Sequence, residues 1–317
     1  MDLLDIAKKN SEKKRLKEAP LYVKLLSLLS VVRGYNILII VIAQYLAAIF
    51  IFAPRLRLKD ILLNVELYFL VLATVCVIAA GYIINNFYDS KKDFINRPEK
   101  HKLDNLVSQK FKLNLYFLLN FLGFIFGFLV SWRAALFFST YIFGIWFYSH
   151  KLNKYPLIGL FSAVILTILP FFAVFVYYKN FSTIIFTHAS FLFFILTIRE
   201  LIKSLENIKG DLIQNKITIP IKYGEKFTKT IITLIVLLTL DPIYFLWKYP
   251  EIGAMKYYFY VAGIMLTLFT IKLWWRETTK NYVQLHILLK ILIVLGVFSL
   301  SLLDTSVIIN RLINLKL

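Results

Sequence analysis

The chain has 317 residues, 59% of them hydrophobic and 17% aromatic, and its mean hydropathy is +0.71. A soluble globule is excluded, because apolar runs repeatedly reach the roughly 20 residues that cross a bilayer. Its 37 Lys and Arg against 18 Asp and Glu give a formal net charge of +19, but the basic residues gather in alternate connections between apolar runs, so the charge reports membrane topology and not a nucleic-acid partner.

The first twenty residues of the basic N-terminal segment 1–24 are charged and polar, without the apolar core and small-residue cleavage site expected of a signal peptide. Lys8, Lys9, Lys13, Lys14, Arg15 and Lys17 interleave with Leu3, Leu4, Ile6 and Leu16. This segment forms either a basic amphipathic helix on an anionic membrane surface or a solvated tail. Nine apolar runs follow, at about 25–52, 64–88, 113–131, 134–149, 157–178, 183–202, 230–248, 254–274 and 285–309. All are expected to be helices, since open strands leave backbone groups unsatisfied in lipid. The predicted fold is therefore all-α, a polytopic bundle of nine transmembrane helices, with residues 25–310 as a single domain. Basic residues concentrate at 8–24, 91–112, 151–154, 199–229 and 272–280. That pattern predicts a cytoplasmic N-terminus in a cell (inner) membrane and a C-terminus outside. Cys76 lies inside the second run and is expected to be a small packing residue, with no disulfide framework or cysteine metal cluster. Asp241-Pro242 predicts a helix break in the seventh run.

The second run ends in Asn85-Asn-Phe-Tyr-Asp89-Ser-Lys-Lys-Asp93 and the sixth in Arg199-Glu-Leu-Ile-Lys203-Ser-Leu-Glu-Asn207-Ile-Lys-Gly-Asp211. On a continuous helix, positions i, i+3 and i+7 share an arc, so Asn86, Asp89 and Asp93 would point one way, as would Ser204, Asn207 and Asp211. Glu200 can share the second face, whereas Glu206 points about 100° away from Asn207. Polar groups at span ends are usually solvated caps. Here, however, Asn85 and Asn86 lie near membrane depth, where polar groups need partners or a function. Basic residues follow at once, at Lys91, Lys92, Arg97 and Lys100. Carboxylates and amide oxygens on two opposed faces suit a hard divalent cation and a polyanion bridged to it.

These segments resemble the UbiA superfamily of intramembrane prenyltransferases. The family's Asn-Asp-x-x-Asp-x-x-x-Asp motif is matched by Asn85, Asn86, Asp89 and Asp93, with Asn86 in place of an Asp. Its second acid motif, in the branch of geranylgeranylglyceryl phosphate prenyltransferases, is matched by Arg199, Glu200, Lys203, Glu206, Gly210, Asp211, Thr218 and Pro220, while Ser204 and Asn207 stand in place of acids. Arg33-Gly-Tyr-Asn36 looks like the Arg-x-x-Asn element of the first span, and the segment from Tyr148 to Gly159 looks like the loop after the fourth.

The resemblance implies a magnesium-dependent transfer of a prenyl group from a polyprenyl diphosphate to a lipophilic acceptor, among membrane lipids. Asp89, Asp93 and Asp211 would hold Mg2+, with Asn86 beside them. Asn85, Asn86 and Asn207 would be neutral oxygen donors, and Arg97, Lys151 and Lys203 would clamp phosphate oxygens. Arg33, Asn36 and Tyr148 would line the pocket. Two other classes remain: a transporter, which predicts paired broken helices at the bilayer midplane, and a catalytically silent lipid-binding relative, which the replaced acids keep open.

Overall fold

A computed structural model describes residues 20–54 and 56–303, and every regular element among them is helical. The basic segment of residues 1–19, with its expected amphipathic helix, lies outside the described residues. In chain order the helices are α1 (Leu21–Val31), α2 (Gly34–Ala47, prolonged by a π turn Ala48–Phe52), α3 (Leu58–Leu62), α4 (Val65–Tyr88), α5 (Ser90–Asn96), α6 (Pro98–Asp104), α7 (Gln109–Val130) and α8 (Trp132–His150). They continue with α9 (Pro156–Tyr178), α10 (Thr183–Glu206), α11 (Ile208–Ile213), α12 (Ile219–Tyr223), α13 (Glu225–Leu238), α14 (Leu240–Lys248), α15 (Lys256–Trp275) and α16 (Thr279–Ser299).

Among the described residues eight segments are long and apolar enough to cross a membrane: Gly34–Phe52, Val65–Tyr88, Gln109–Val130, Pro156–Tyr178, Thr183–Glu206, Glu225–Lys248, Ile252–Trp275 and Thr279–Leu302. The run expected at 134–149 is also a helix, α8, packed against α4, α7 and α9. Arg133, Ser139, Thr140, Ser149 and His150 dilute its apolar content, which leaves eight strongly apolar spans where nine were expected. The protein is an integral membrane protein, and large apolar side chains such as Phe117, Phe121, Phe128 and Phe143 cover its outer faces.

Local chemistry sets the ends and breaks. Side chains of Asn64, Ser108, Ser131 and Thr278 accept from the backbone N–H groups of Leu67, Phe111, Ala134 and Asn281, closing the first turns of α4, α7, α8 and α16. The first apolar run is not one helix. It breaks at Val32–Arg33, where Arg33 adopts the left-handed conformation (φ 50°, ψ 56°), a strain of order 1–2 kcal/mol for a residue with a Cβ. The seventh run, expected to break at Asp241-Pro242, divides two residues earlier at Thr239, which leaves Pro242 in the first turn of α14, where its missing N–H costs nothing.

Two contacts shape the interior. Gly123 and Gly127 let α7 approach its neighbours closely: a Cβ at Gly123 would meet Val77 Cγ2 at 2.7 Å, and one at Gly127 would meet Phe138 at 2.9 Å. Pro170 inside α9 has no N–H to give Leu166, and the freed carbonyl accepts instead from the Tyr141 hydroxyl at 2.9 Å. The Pro170 carbonyl in turn accepts from Gln44 Nε2 at 2.9 Å. Tyr141→Phe therefore strands a buried carbonyl. It is expected to cost about 1–3 kcal/mol, read as a lower thermal unfolding midpoint in detergent with no change in oligomeric state.

Candidate active site

The C-terminal ends of α4 and α10 meet at one end of the bundle, as the two opposed polar faces require. The chain bends at both. Asp89 (φ −90°, ψ 4°) ends α4 and Asn207 (φ −110°, ψ 13°) ends α10, and short helices α5 and α11 turn across each other. Gly210 permits the crossing, since a Cβ there would lie 2.4 Å from Asn96 Nδ2 and 2.9 Å from Lys92 Cγ. Four contacts then join the segments. Lys92 Nζ lies 2.6 Å from Asp211 Oδ1, Lys216 Nζ lies 2.7 Å from Asp89 Oδ1, Asn96 Nδ2 donates to Asn207 Oδ1 at 3.0 Å, and Arg97 pairs with Glu206 at 2.7 Å.

Beneath this junction is a cavity of about 490 Å3, within the range of small-molecule sites. Its charged end is lined by Arg33, Asp89, Lys92, Arg199, Glu200, Lys203, Asp211, Lys216 and Lys290, with Asn36, Asn85, Tyr148 and Ser204. Its other end is apolar, with Ile51, Ile78, Phe171, Phe191, Ile195 and Phe259. One stripe of α10 runs the length of it, from His188 through Phe191 and Ile195 to Arg199 and Lys203. That is roughly 22 Å at 1.5 Å per residue.

The structure brings Arg33, Asn36, Asn85, Asp89, Tyr148, Lys203 and Asp211 together around the cavity, and separates five other expected residues from it. Asn86 faces away from the cavity, where it donates to Asp104 Oδ2 at 2.8 Å and accepts from Lys112 Nζ at 3.0 Å. Asp93 turns toward Lys100, 4.0 Å away. Arg97 is bound to Glu206, whose other oxygen is held by His286 Nδ1 at 2.6 Å. Asn207 is buried, bonded to Asn96 and to the Lys203 carbonyl, and Lys151 is exposed at the end of α8. The cavity sees Asn85, Asp89 and Lys92, at i, i+4 and i+7, whereas Asn86 lies about 100° round α4 from Asn85 and is taken up by Asp104 and Lys112, and Asp93 lies beyond the bend, on α5.

Sequence reasoning missed Lys92 and Lys216 as direct partners of the two acids, along with Arg199 and Lys290. Lys290 carried a signal, an isolated cation inside an apolar run.

Burial would raise the Asp89 carboxyl, but Lys216 and Lys92, with Lys203 behind them, outweigh it and hold the group below the ordinary carboxylate range. Because the folded value is depressed, this pairing adds stability above the ordinary carboxylate pKa and loses it as pH falls further. Asp89 is therefore expected to lose its proton at a lower pH than an ordinary carboxyl group. A pH titration of activity in which the acid limb persists in a Lys216→Met background assigns that limb to another group.

A bundle of membrane-spanning helices enclosing one chamber, charged at one end and apolar along the rest, defines a class of integral membrane protein that can seat an amphiphile with an anionic head. The sequence profile of the UbiA prenyltransferase family matches residues 45–293, and the chain belongs to that family. Over 252 residues it is 31% identical to the digeranylgeranylglyceryl phosphate synthase of Methanobrevibacter smithii, an alignment covering 75% of this chain and 83% of that one. Its fold is similar to a solved structure of digeranylgeranylglyceryl phosphate synthase in membranes (TM-score 0.66, 21% identity, covering 87% of this chain and 97% of the other). It is likewise similar to a UbiA homolog from Archaeoglobus fulgidus bound to GPP and Mg2+ (TM-score 0.64, 13% identity, covering 87% and 99%). At those identities the structural likeness is one of fold.

Proposed function

We propose that the protein transfers a prenyl group from a polyprenyl diphosphate to a glycerol phosphate lipid acceptor inside the membrane, with magnesium. One observation carries the proposal: Asp89 and Asp211 face a single cavity, each beside a lysine, at the head of an apolar chamber. The acceptor class rests on the relative from Methanobrevibacter smithii.

Lys92, Lys203 and Lys216 would take diphosphate oxygens, exchanging the carboxylates they now hold. As the carbon–oxygen bond breaks, the electron pair leaves with the diphosphate, and these fixed cations stabilise the charge that develops. The allylic carbon then accepts a pair from the acceptor hydroxyl, whose proton passes to the departing diphosphate or to water. Tyr148, which lines the cavity with Asp89, Glu200 and Asp211, and the apolar wall would exclude water and offer ring faces to the allylic cation.

The donor set fits magnesium in company with the substrate. Among the described residues no group of three Asp, Glu, His or Cys gathers into a protein cage. Magnesium, however, commonly takes one or two carboxylates and fills its remaining positions with phosphate oxygens and water. Asp89 and Asp211, with Glu200 as a third carboxylate on the same lining, are the acids that could hold it, and the ion would supply charge neutralisation at the leaving group. Asp93 has no part in this set as placed.

The basic loops at the charged end would face the cytoplasm in a cell membrane, which the positive-inside rule supports. The test is incubation of the purified protein with labelled geranylgeranyl diphosphate, magnesium and a glyceryl ether phosphate. A prenylated lipid and released diphosphate are expected. Absence of both with every acceptor tried would overturn the proposal.

A further inference from the structure

Away from the cavity, a polar cluster gathers side chains of five helices around Asn86. The planar amide of Asn86 joins two charged groups: Nδ2 donates to Asp104 Oδ2 at 2.8 Å, and Oδ1 accepts from Lys112 Nζ at 3.0 Å. Asp104 and Lys112 are almost wholly buried. Asp104 also accepts from Ser30 Oγ at 2.7 Å and pairs with Lys100, which lies 4.0 Å from Asp93. The cluster therefore ties α1, α4, α5, α6 and α7 together. An ammonium offers only donors and a carboxylate only acceptors, so an amide satisfies both at once, whereas an acid or an alkyl group of the same size satisfies one or neither. Two cations, Lys100 and Lys112, already balance two carboxylates, Asp93 and Asp104. An acid at position 86 would set an unmatched charge against Asp104 in a site closed to water.

We propose that Asn86 is a positioning residue: by bridging Asp104 and Lys112 it fixes the rotation of the last turn of α4, and with it the direction in which Asn85 and Asp89 face the cavity. Asn85 and Asp89 both line the cavity, and Asn85 Oδ1 accepts from Ser149 Oγ of α8 at 2.5 Å. The end of α4 is thus gripped on two faces about 100° apart, by α8 through Asn85 and by α6 and α7 through Asn86. One grip would leave the turn free to roll about its contact, and two set its angle. Asp89 ends the helix one turn after Asn85, so a roll of that turn moves its carboxylate. The bridge stands on the contacts alone, and its role in turnover rests on the prenyl-transfer reading.

The experiment exchanges the amide and the acid. Asn86→Asp, Asp104→Asn and the double variant are prepared as whole chains in lipid nanodiscs, and each is read by its thermal unfolding midpoint and by turnover of geranylgeranyl diphosphate over a range of magnesium concentrations. Asn86→Asp is expected to lower the midpoint by several degrees, to cut kcat at least tenfold, and to raise the half-saturating magnesium concentration at least fivefold, a quantity that loss of folded protein alone does not move. In the double variant the acid at 86 accepts from Lys112 and from the amide at 104, so midpoint, rate and magnesium requirement should all return to near those of the wild type, a coupling that independent sites do not show. A double variant no better than the worse single one overturns the bridge. Asn86→Asp that turns over as well as the wild type, or needs less magnesium, overturns the positioning role and returns Asn86 to the metal set expected from the sequence. Recovery of the midpoint, with a magnesium requirement that Asn86→Asp never changed, also overturns that role. Recovery of the midpoint without turnover in any form, wild type included, upholds the bridge and overturns the prenyl-transfer reading alone.

Discussion

Asp89→Asn is expected to lower kcat for prenyl transfer by a factor of about 10³, the upper part of the range for losing one preorganised electrostatic group. Asp89 is one of three carboxylates at the charged end of the cavity, and Lys216, Lys92 and Lys203 hold it below the ordinary carboxylate range against the effect of burial. Asparagine keeps the shape but removes the charge that pairs with Lys216 and that, on the proposed function, would hold the metal. Asp93, 4.0 Å from Lys100 and off the cavity, provides the contrast. Asp93→Asn is expected to cost about tenfold or less, in proportion to any loosening of α5. Initial rates for the two variants at saturating magnesium decide the matter, and equal losses would return Asp93 to the metal site.

Gly210→Ala is the second large effect. The added methyl would lie 2.4 Å from Asn96 Nδ2 and 2.9 Å from Lys92 Cγ, so it must displace the amide that donates to Asn207 at 3.0 Å and push the stem of the lysine that pairs with Asp211. Overpacking of this kind costs roughly 1–3 kcal/mol. The displaced groups include Lys92, which the proposed function places on the diphosphate, so kcat/KM is expected to fall about 100-fold, since small misplacements of positioning groups have effects of that order. Thermal stability and turnover measured on the same preparation check both parts. A variant that unfolds a few degrees lower but turns over normally would show that the crossing of α5 and α11 does not set the site.

The spans and the meeting of the α4 and α10 ends were legible because both follow from apolar periodicity and the cost of polar groups in lipid. The facing of individual side chains was less so. Asn86 looked equivalent to Asp89 on an ideal helix, but Asp104 and Lys112, 1% and 0% exposed, bind it from the far side, and pairing between residues so distant in sequence leaves no local pattern. Spacing singled out Asp89 and Asp211, both of which line the cavity, whereas their lysine partners looked like ordinary loop charge. Arg97 was expected on phosphate, yet Glu206 and His286 hold it, in keeping with the direction inferred for Glu206, away from Asn207. The left-handed turn at Arg33 had no signal beyond the Gly34 that follows it.

Equilibrium binding of a non-ionising prenyl thiolodiphosphate to the wild type and to a Lys92→Met/Lys216→Met double variant tests the account most directly. Saturable binding at one site, strengthened by magnesium and weakened at least tenfold in the double variant, is the predicted result. Binding of undiminished affinity in that variant, or none to the wild type, would contradict a diphosphate site at the junction of α4 and α10.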